Sequence, residues 1–306
     1  MSSASVETAL QAFRASVKPC PEPGDGVHRW LYHAACCAVD AGLPEEEAIV
    51  EIEALMTRDP IGSEIEDALA SARGERRPSV NWPKVNDEQV EAAAKGGPTL
   101  VELWKASPVE MPITNANRAE SIIDILFPGN LLLCVGHSTD DFETAPRRDL
   151  AGSLRHRALI VASPMIALKG RTLKGKRWSA HTLENTGPRR FVVIEFDRAP
   201  LDAQAALIHH LSKIAPSLAL VVFSGSRSLH SWFYCATQTE ETQLRFMRYA
   251  VSLGADRATW ARSQFVRTPD GTRRDGKTSA ALEACGIHGV PAGKQVALYL
   301  NPRVIR

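Results

Sequence analysis

Residues 191–197 read Phe-Val-Val-Ile-Glu-Phe-Asp, and residues 224–235 read Ser-Gly-Ser-Arg-Ser-Leu-His-Ser-Trp-Phe-Tyr-Cys. The first run is β-branched and aromatic until its acidic end, which predicts a strand over Phe191–Phe196. The two-residue period of a strand puts Val192, Ile194 and Phe196 on one face and Val193, Glu195 and Asp197 on the other. In the second run a tight Ser/Gly turn leads into a strand over His230–Cys235. Between them, Asp202–Ile214 reads as a helix with Ala206, Leu207, Leu211 and Ile214 on its apolar stripe, and Leu218–Phe223 as another strand. Beyond them, Glu240–Leu253 is a predicted helix and Gln264–Arg267 a predicted fourth strand.

In chain order these elements spell βαββαβ, the split-βαβ plan of RRM-like sheets, where the first and third strands are antiparallel neighbours. That plan predicts that Glu195 and Asp197 lie beside Ser228 and His230. Upstream, a helix near Ala119–Leu126 and strand-like runs at Leu131–Val135 and Ala158–Ala162 add an α/β module, so residues 113–306 read as one mixed α/β (α+β) domain. Residues 79–112 read as a linker, broken by Asn81-Trp82-Pro83, Gly96-Gly97-Pro98 and Pro108, with one helical stretch at Asp87–Ala94 and with Trp82 and Trp104 suited to docking on a neighbour. Residues 1–78 read as a small helical bundle. Its stripes are Val27, Trp30, Leu31, Ala34 and Ala38; then Ile49, Ile52, Leu55 and Met56 behind Pro44 and three glutamates; then Ile65, Ala68, Leu69 and Ala72 behind a Ser63 cap.

At 306 residues and 44% hydrophobic content the chain can bury substantial cores, and 36 Lys and Arg against 35 Asp and Glu give no overall positive field. Any nucleic-acid contact must therefore come from a local basic surface. The six cysteines show no CxxC pair and no zinc-ligand spacing, which fits reduced thiols rather than a metal or disulfide framework. The amino terminus has no long apolar core of a signal peptide, and apolar runs elsewhere fall short of the roughly 18 residues a membrane helix needs. The expectation is a cytoplasmic, unprocessed protein without a membrane partner.

The carboxylates of Glu195 and Asp197 are expected about 7 Å apart along the strand, at a rise near 3.4 Å per residue. Hard oxygen donors of this kind suit Mg²⁺ or Mn²⁺ carrying a triphosphate. An isolated Glu-x-Asp also describes a solvated strand end. What adds weight is the turn beside it, since Arg227, Ser228 and His230 offer a cation, a hydroxyl and an imidazole to phosphate oxygens. Taken alone, that turn is also an ordinary hairpin. A third acid, Asp256, follows the helix ending near Leu253, where it reads equally as an N-cap.

The segments VVIEFD, SGSRSLHSWF and LGADRATWARSQFVRTPDG, in this order and spacing, resemble motifs I, II and III of the archaeo-eukaryotic primase superfamily, phage- and plasmid-type members especially. The resemblance covers residues 113–306 and is strongest over Phe191–Gly271. It implies that Glu195, Asp197 and Asp256 bind two catalytic Mg²⁺ or Mn²⁺ ions, that Ser228 and His230 hold the incoming nucleotide's phosphates, and that Arg227 and Arg267 assist. It also implies a template-directed DNA primase or primase-polymerase. Its partners would be single-stranded DNA template and nucleoside triphosphates, with any replicative helicase a separate chain. One departure is Glu195, where the family usually has Asp, giving a longer reach to the metal. The helical bundle resembles, more weakly, small domains attached to such primases, and a partner-docking role is equally open.

A competing motif runs from Gly271 to Thr278, Gly-Thr-Arg-Arg-Asp-Gly-Lys-Thr, which matches the phosphate-binding P-loop pattern. Only 28 residues follow it, however, and they include Gly286, Gly289 and Pro291, poor material for the helix and acidic strand a P-loop requires. A basic loop near the site, exposing Arg273, Arg274 and Lys277, is the preferred reading. Pairs such as Ser179 with His181 and His137 with Ser138 lack the elbow and acid of a hydrolase. Lys169, Arg171, Lys174, Lys176 and Arg177 around Trp178 suit either a template track or a solvated loop. Three functions are thus ordered: template-directed nucleotidyl transfer, a noncatalytic replication or nucleic-acid-binding module, and a P-loop ATPase.

Overall fold

The computed structural model describes residues 3–23, 26–74, 80–113, 117–172, 177–214, 216–275 and 279–305. It divides into two compact units, Met1–Val80 with Thr172–Arg177, and Asn81–Arg171 with Trp178–Arg306. Among the described residues no helix is long and apolar enough to cross a membrane. All six cysteines are free thiols.

The first unit holds α1 (Ser3–Ser16), α2 (Val27–Ala41), α3 (Glu45–Leu55) and α4 (Glu64–Gly74). The stripe of α2 meets Phe13 of α1, Ile52 of α3, and Ile65 and Leu69 of α4 in one core. Gly42, at φ 74°, ends α2 by returning its N–H to the carbonyls of Ala38 and Val39. Leu55, expected inward, is exposed because α3 stops there and the chain turns extended at Met56.

The second unit runs α5 (Asp87–Ala94), α6 (Leu100–Lys105), α7 (Ala119–Leu126), β1 (Leu132–Gly136), β2 (Phe142–Pro146), β3 (Leu159–Val161), β4 (Gly170–Arg171), β5 (Trp178–Ser179), β6 (Phe191–Phe196), α8 (Leu201–Ser212), β7 (Ser217–Phe223), β8 (Leu229–Tyr234), α9 (Glu240–Ser252), β9 (Phe265–Arg267), α10 (Ala280–Ala284) and β10 (Val296–Leu300). Two sheets form, in the orders β2-β1-β3-β9 and β10-β7-β8-β6, beside the small β4–β5 ribbon. Every strand pair among the described residues is antiparallel. This is a mixed α/β architecture.

As expected, β6 lies antiparallel to β8, with Glu195 opposite His230 and Phe196 opposite Leu229. The expected fourth strand does not join this sheet. Three-residue β9 pairs instead with three-residue β3, and the fourth place is taken by β10, on the far side of β7. Packing explains the exchange: β10 is buried at Val296, Ala297, Leu298 and Leu300, whereas Phe265 and Arg267 of β9 are only half-buried. At the free edge of β6, the amide of Asp256 donates to the Glu195 carbonyl at 2.9 Å, which covers one of the edge groups a strand would otherwise expose.

Both faces of the β6–β8 sheet are covered. On one, Val192, Ile194, Phe196 and Phe233 pack under α8 and α9. On the other, Phe191, Val193, Trp232 and Tyr234 pack toward α7 and the first sheet, so the face that carries Glu195 is closed along most of its length. The stretch expected as a linker is also built in: α5 and α6 bury Ala93, Leu100 and Leu103 in the core under α8. Thr99 and Glu102 form a reciprocal cap on α6, and the Leu100 amide donates to Asp202 of α8 at 2.8 Å. Trp82 meets Trp260 edge-on at 6.4 Å, and the Trp104 indole N–H donates to the Met111 carbonyl at 2.7 Å.

Candidate functional site

The apolar face shared by β6 and β8 turns polar at one end, and a cleft of about 500 Å³ opens there between the two sheets. Glu195 and His230 form its floor, Arg267 and Phe265 of β9 one wall, His137 and Ser138 after β1 another, and Arg273, Arg274 and Asp275 the rim. Register places the floor. Because Glu195 and His230 are directly opposed, their side chains share a face, and Ser228, two residues before His230, falls on it as well.

The Ser228 hydroxyl donates to Glu195 Oε1 at 2.9 Å. His230 Nε2 lies 3.3 Å from the same oxygen, an ion-pair distance when the ring is protonated, yet off the line of a hydrogen bond. Burial, the largest single influence on Glu195, raises its pKa. The electrostatic pull of His230, the hydrogen bond from the Ser228 hydroxyl and the charge of Arg267 together outweigh it and hold the carboxyl down at about 2. Glu195 is therefore an anion at neutral pH although only 23% of its side chain is exposed. His230 is 4% exposed, and both of its ring nitrogens are buried without a hydrogen-bond partner. His137 Nδ1, also at the cleft, is a further buried nitrogen without one. Such atoms are costly unless something binds them.

The turn before β8 is held from behind. Gln204, fully buried on α8, donates to the Arg227 carbonyl at 2.9 Å and accepts from the Leu229 amide at 2.8 Å. Ser224 and Ser228 close the turn through the Ser224 amide at 2.9 Å. Gly225 stands at φ 80°, where a Cβ would also crowd the Lys294 carbonyl at 3.1 Å.

The rim is strapped down by Asp270, which is fully buried at φ 51°. Its carboxylate accepts from Arg118 Nε at 2.9 Å and from the Ala297 amide of β10 at 2.8 Å. The next residue must be glycine, since a Cβ on Gly271 would stand 2.2 Å from the Arg157 carbonyl. The Arg273 amide then bonds the Gly293 carbonyl at 2.8 Å, which fixes where the arginine pair begins. Arg273 pairs with Asp275, and Arg274 with Asp141 at 3.3 Å. In the wall, burial and the neighbouring Arg273 lower the pKa of Arg267, against the opposing pull of Glu195 and Asp275.

The sequence-predicted residues separate into two groups. Glu195, Ser228, His230 and Arg267 come together around the cleft. Asp197 falls one residue beyond β6 with its carboxylate 3.6 Å from the exposed guanidinium of Arg227. Asp256 is brought to β6 by its backbone, but its side chain is exposed and caps the 3-10 turn Arg257–Trp260 by accepting from the Ala258 amide at 2.9 Å. Among the described residues no three His, Cys, Asp or Glu side chains gather closely enough to hold a metal ion. The oxygen donors suit Mg²⁺ or Mn²⁺ in kind, but they do not form a ready three-carboxylate centre.

Gln204 and Asp270 carry much of the site's geometry and were not singled out from sequence. Gln204 had a readable signal, a polar residue among the apolar positions of a buried helix. The competing P-loop pattern has no support in its surroundings: the strand before it, β9, is in an antiparallel sheet, and α10 after it spans five residues. Gly276, Lys277 and Thr278 themselves lie outside the described residues, as do Lys174 and Lys176. Comparison with protein-family models, with curated proteins and with solved structures finds no match.

Proposed function

We propose that the cleft binds the phosphates of a nucleoside triphosphate and that the chain is a template-directed nucleotidyl transferase of the archaeo-eukaryotic primase kind, its β6–β8 sheet a variant of the RRM-like plan. One observation carries this reading: His230 presents two buried, unpartnered ring nitrogens beside an ionised Glu195, in a cleft whose other charged groups are mainly the arginines 267, 273 and 274. Phosphate oxygens satisfy such donors, and Arg binds them in forked pairs. Magnesium is commonly held by one or two carboxylates together with substrate phosphates, so Glu195 and Asp197 need not form a cage in advance. Bound there, the metal would supply charge neutralisation for phosphoryl transfer. The substrates on this reading are nucleoside triphosphates and a single-stranded DNA template, and any helicase acts as a separate chain.

Primer extension on a DNA template with Mg²⁺ or Mn²⁺ tests the reading. Wild type should incorporate nucleotides and Asp197→Ala should not, while melting at the same temperature. Extension by that variant at the wild-type rate would remove Asp197 from the site. A second reading has one observation in its favour, the dispersal of the three carboxylates. On it the domain binds nucleotide without turnover, and wild type should show affinity but no incorporation with either metal.

A further inference from the structure

We infer that the exposed face of the paired strands β4 and β5, at Arg171 and Trp178, is a docking surface for single-stranded nucleic acid. Among its described residues from 164 to 186 the chain carries three cations, Lys169, Arg171 and Arg177, against one acid, Glu184, in a protein whose charges otherwise nearly balance. Glu184 spends its carboxylate on the backbone amide of Arg171. Trp178 is 64% exposed, and the Arg171 guanidinium lies 5.5 Å from its ring centroid. A large aromatic held at the surface between cations offers a stacking face for a base and charge for the phosphates on either side. A duplex hides its base faces; a single strand does not.

The root of this ribbon is rigid. The Thr182 amide and hydroxyl donate to Asn185 Oδ1 at 2.9 and 2.8 Å, and Asn185 Nδ2 donates to the carbonyls of Ala167 and Ala180 at 3.1 and 2.9 Å. Gly170 is required there, because a Cβ would stand 2.4 Å from Thr182 Oγ1. The root also joins the cleft. His181 stacks on Phe265 with ring centroids 4.0 Å apart, and Phe265 lines the cleft wall. A strand lying on Trp178 is thereby led toward Glu195 and His230. The inference rests on the nucleotide reading of the cleft only in calling that strand a template; binding itself does not depend on it.

The test is fluorescence anisotropy of a labelled oligothymidylate with the full chain over a range of salt. Trp178→Ala should weaken binding about tenfold, whereas Trp178→Phe, which keeps a stacking ring, should stay within about threefold of wild type. Lys169→Ala combined with Arg171→Ala should reduce the slope of log affinity against log salt by about 1.4, at about 0.7 per lost phosphate contact on a single strand. Duplex DNA should bind more weakly and be insensitive to Trp178→Ala. Unchanged oligothymidylate affinity in Trp178→Ala overturns the inference. So does a variant that loses binding to anionic phospholipid vesicles while keeping the oligonucleotide, since the ribbon would then be a membrane contact. Nucleotide binding separates the two proposals: variants of this face should keep it and His230→Ala should lose it. Loss by His230→Ala alongside oligothymidylate affinity that ignores this face sinks the docking surface and leaves the cleft reading standing.

Discussion

At one end of the β6–β8 pair, Phe191 stands opposite Tyr234 and Val193 opposite Trp232; two residues further along the same face, Glu195 stands opposite His230. The register is unbroken between these ends, but their surroundings differ. The aromatic end is sealed, with Phe127, Phe191 and Trp232 meeting edge to face at 5.5 to 6.4 Å. The polar end opens into the cleft, where Ser228 and His230 hold Glu195 ionised. One antiparallel pairing thus serves as core at one end and as a positioning frame at the other, and substitutions should separate accordingly.

The largest effect belongs to the sealed end. Trp232 is fully buried, and Trp232→Ala should cost about 3 to 5 kcal/mol of unfolding free energy in denaturant melts. A loss below about 1 kcal/mol would mean that this end is not close-packed. Next comes the rim, where the methyl added by Gly271→Ala would meet the Arg157 carbonyl. Overpacking of this kind costs about 1 to 3 kcal/mol, and nucleotide affinity should fall with it as Arg273 and Arg274 shift. Full stability with full affinity in that variant would show that the strap does not set the rim.

The division between the two ends was partly legible in the sequence. Alternation in Phe191–Phe196 assigned the faces, and the βαββ order predicted Glu195 beside His230, because both rest on the strand's fixed period and on the short hairpin between β7 and β8. The position of β9 was not legible, since a three-residue strand has too little pattern to name its partner, and β10 went unrecognised among the glycines near the carboxyl end. The carboxylates illustrate the same limit. Glu195 lies inside the strand and obeys its period; Asp197 lies beyond the last paired residue and Asp256 at the cap of a 3-10 turn, where local hydrogen bonding decides direction. Residues 79–112 looked like a linker because Pro and Gly punctuate them, yet Leu100 and Leu103 find a core that only the folded α8 provides.

A smaller effect sharpens the polar end. In the metal-free protein the Glu195 carboxyl is held at about 2, below its ordinary 4.5. A folded value below the unfolded one contributes stability that is present above about pH 4.5 and is lost as pH falls toward 2. Over that window wild-type stability should drop more steeply than that of Glu195→Gln, and coincident acid limbs would mean that the carboxylate is not held. Smallest of all is Arg273→Ala. That arginine is already paired with Asp275, so nucleotide affinity should weaken only several-fold by titration calorimetry, with melting nearly unchanged. A hundredfold loss would make it a principal phosphate ligand.

The most direct test of the cleft is made on one preparation of His230→Ala, by measuring nucleoside triphosphate binding and thermal melting together. An imidazole donating to a phosphate oxygen contributes modestly when neutral and about 1.5 to 3 kcal/mol when charged, so affinity should fall roughly ten- to a hundredfold, with the melting temperature held within a few degrees of wild type. Unchanged nucleotide affinity, with a protein that melts early, would make His230 a core residue and contradict the account.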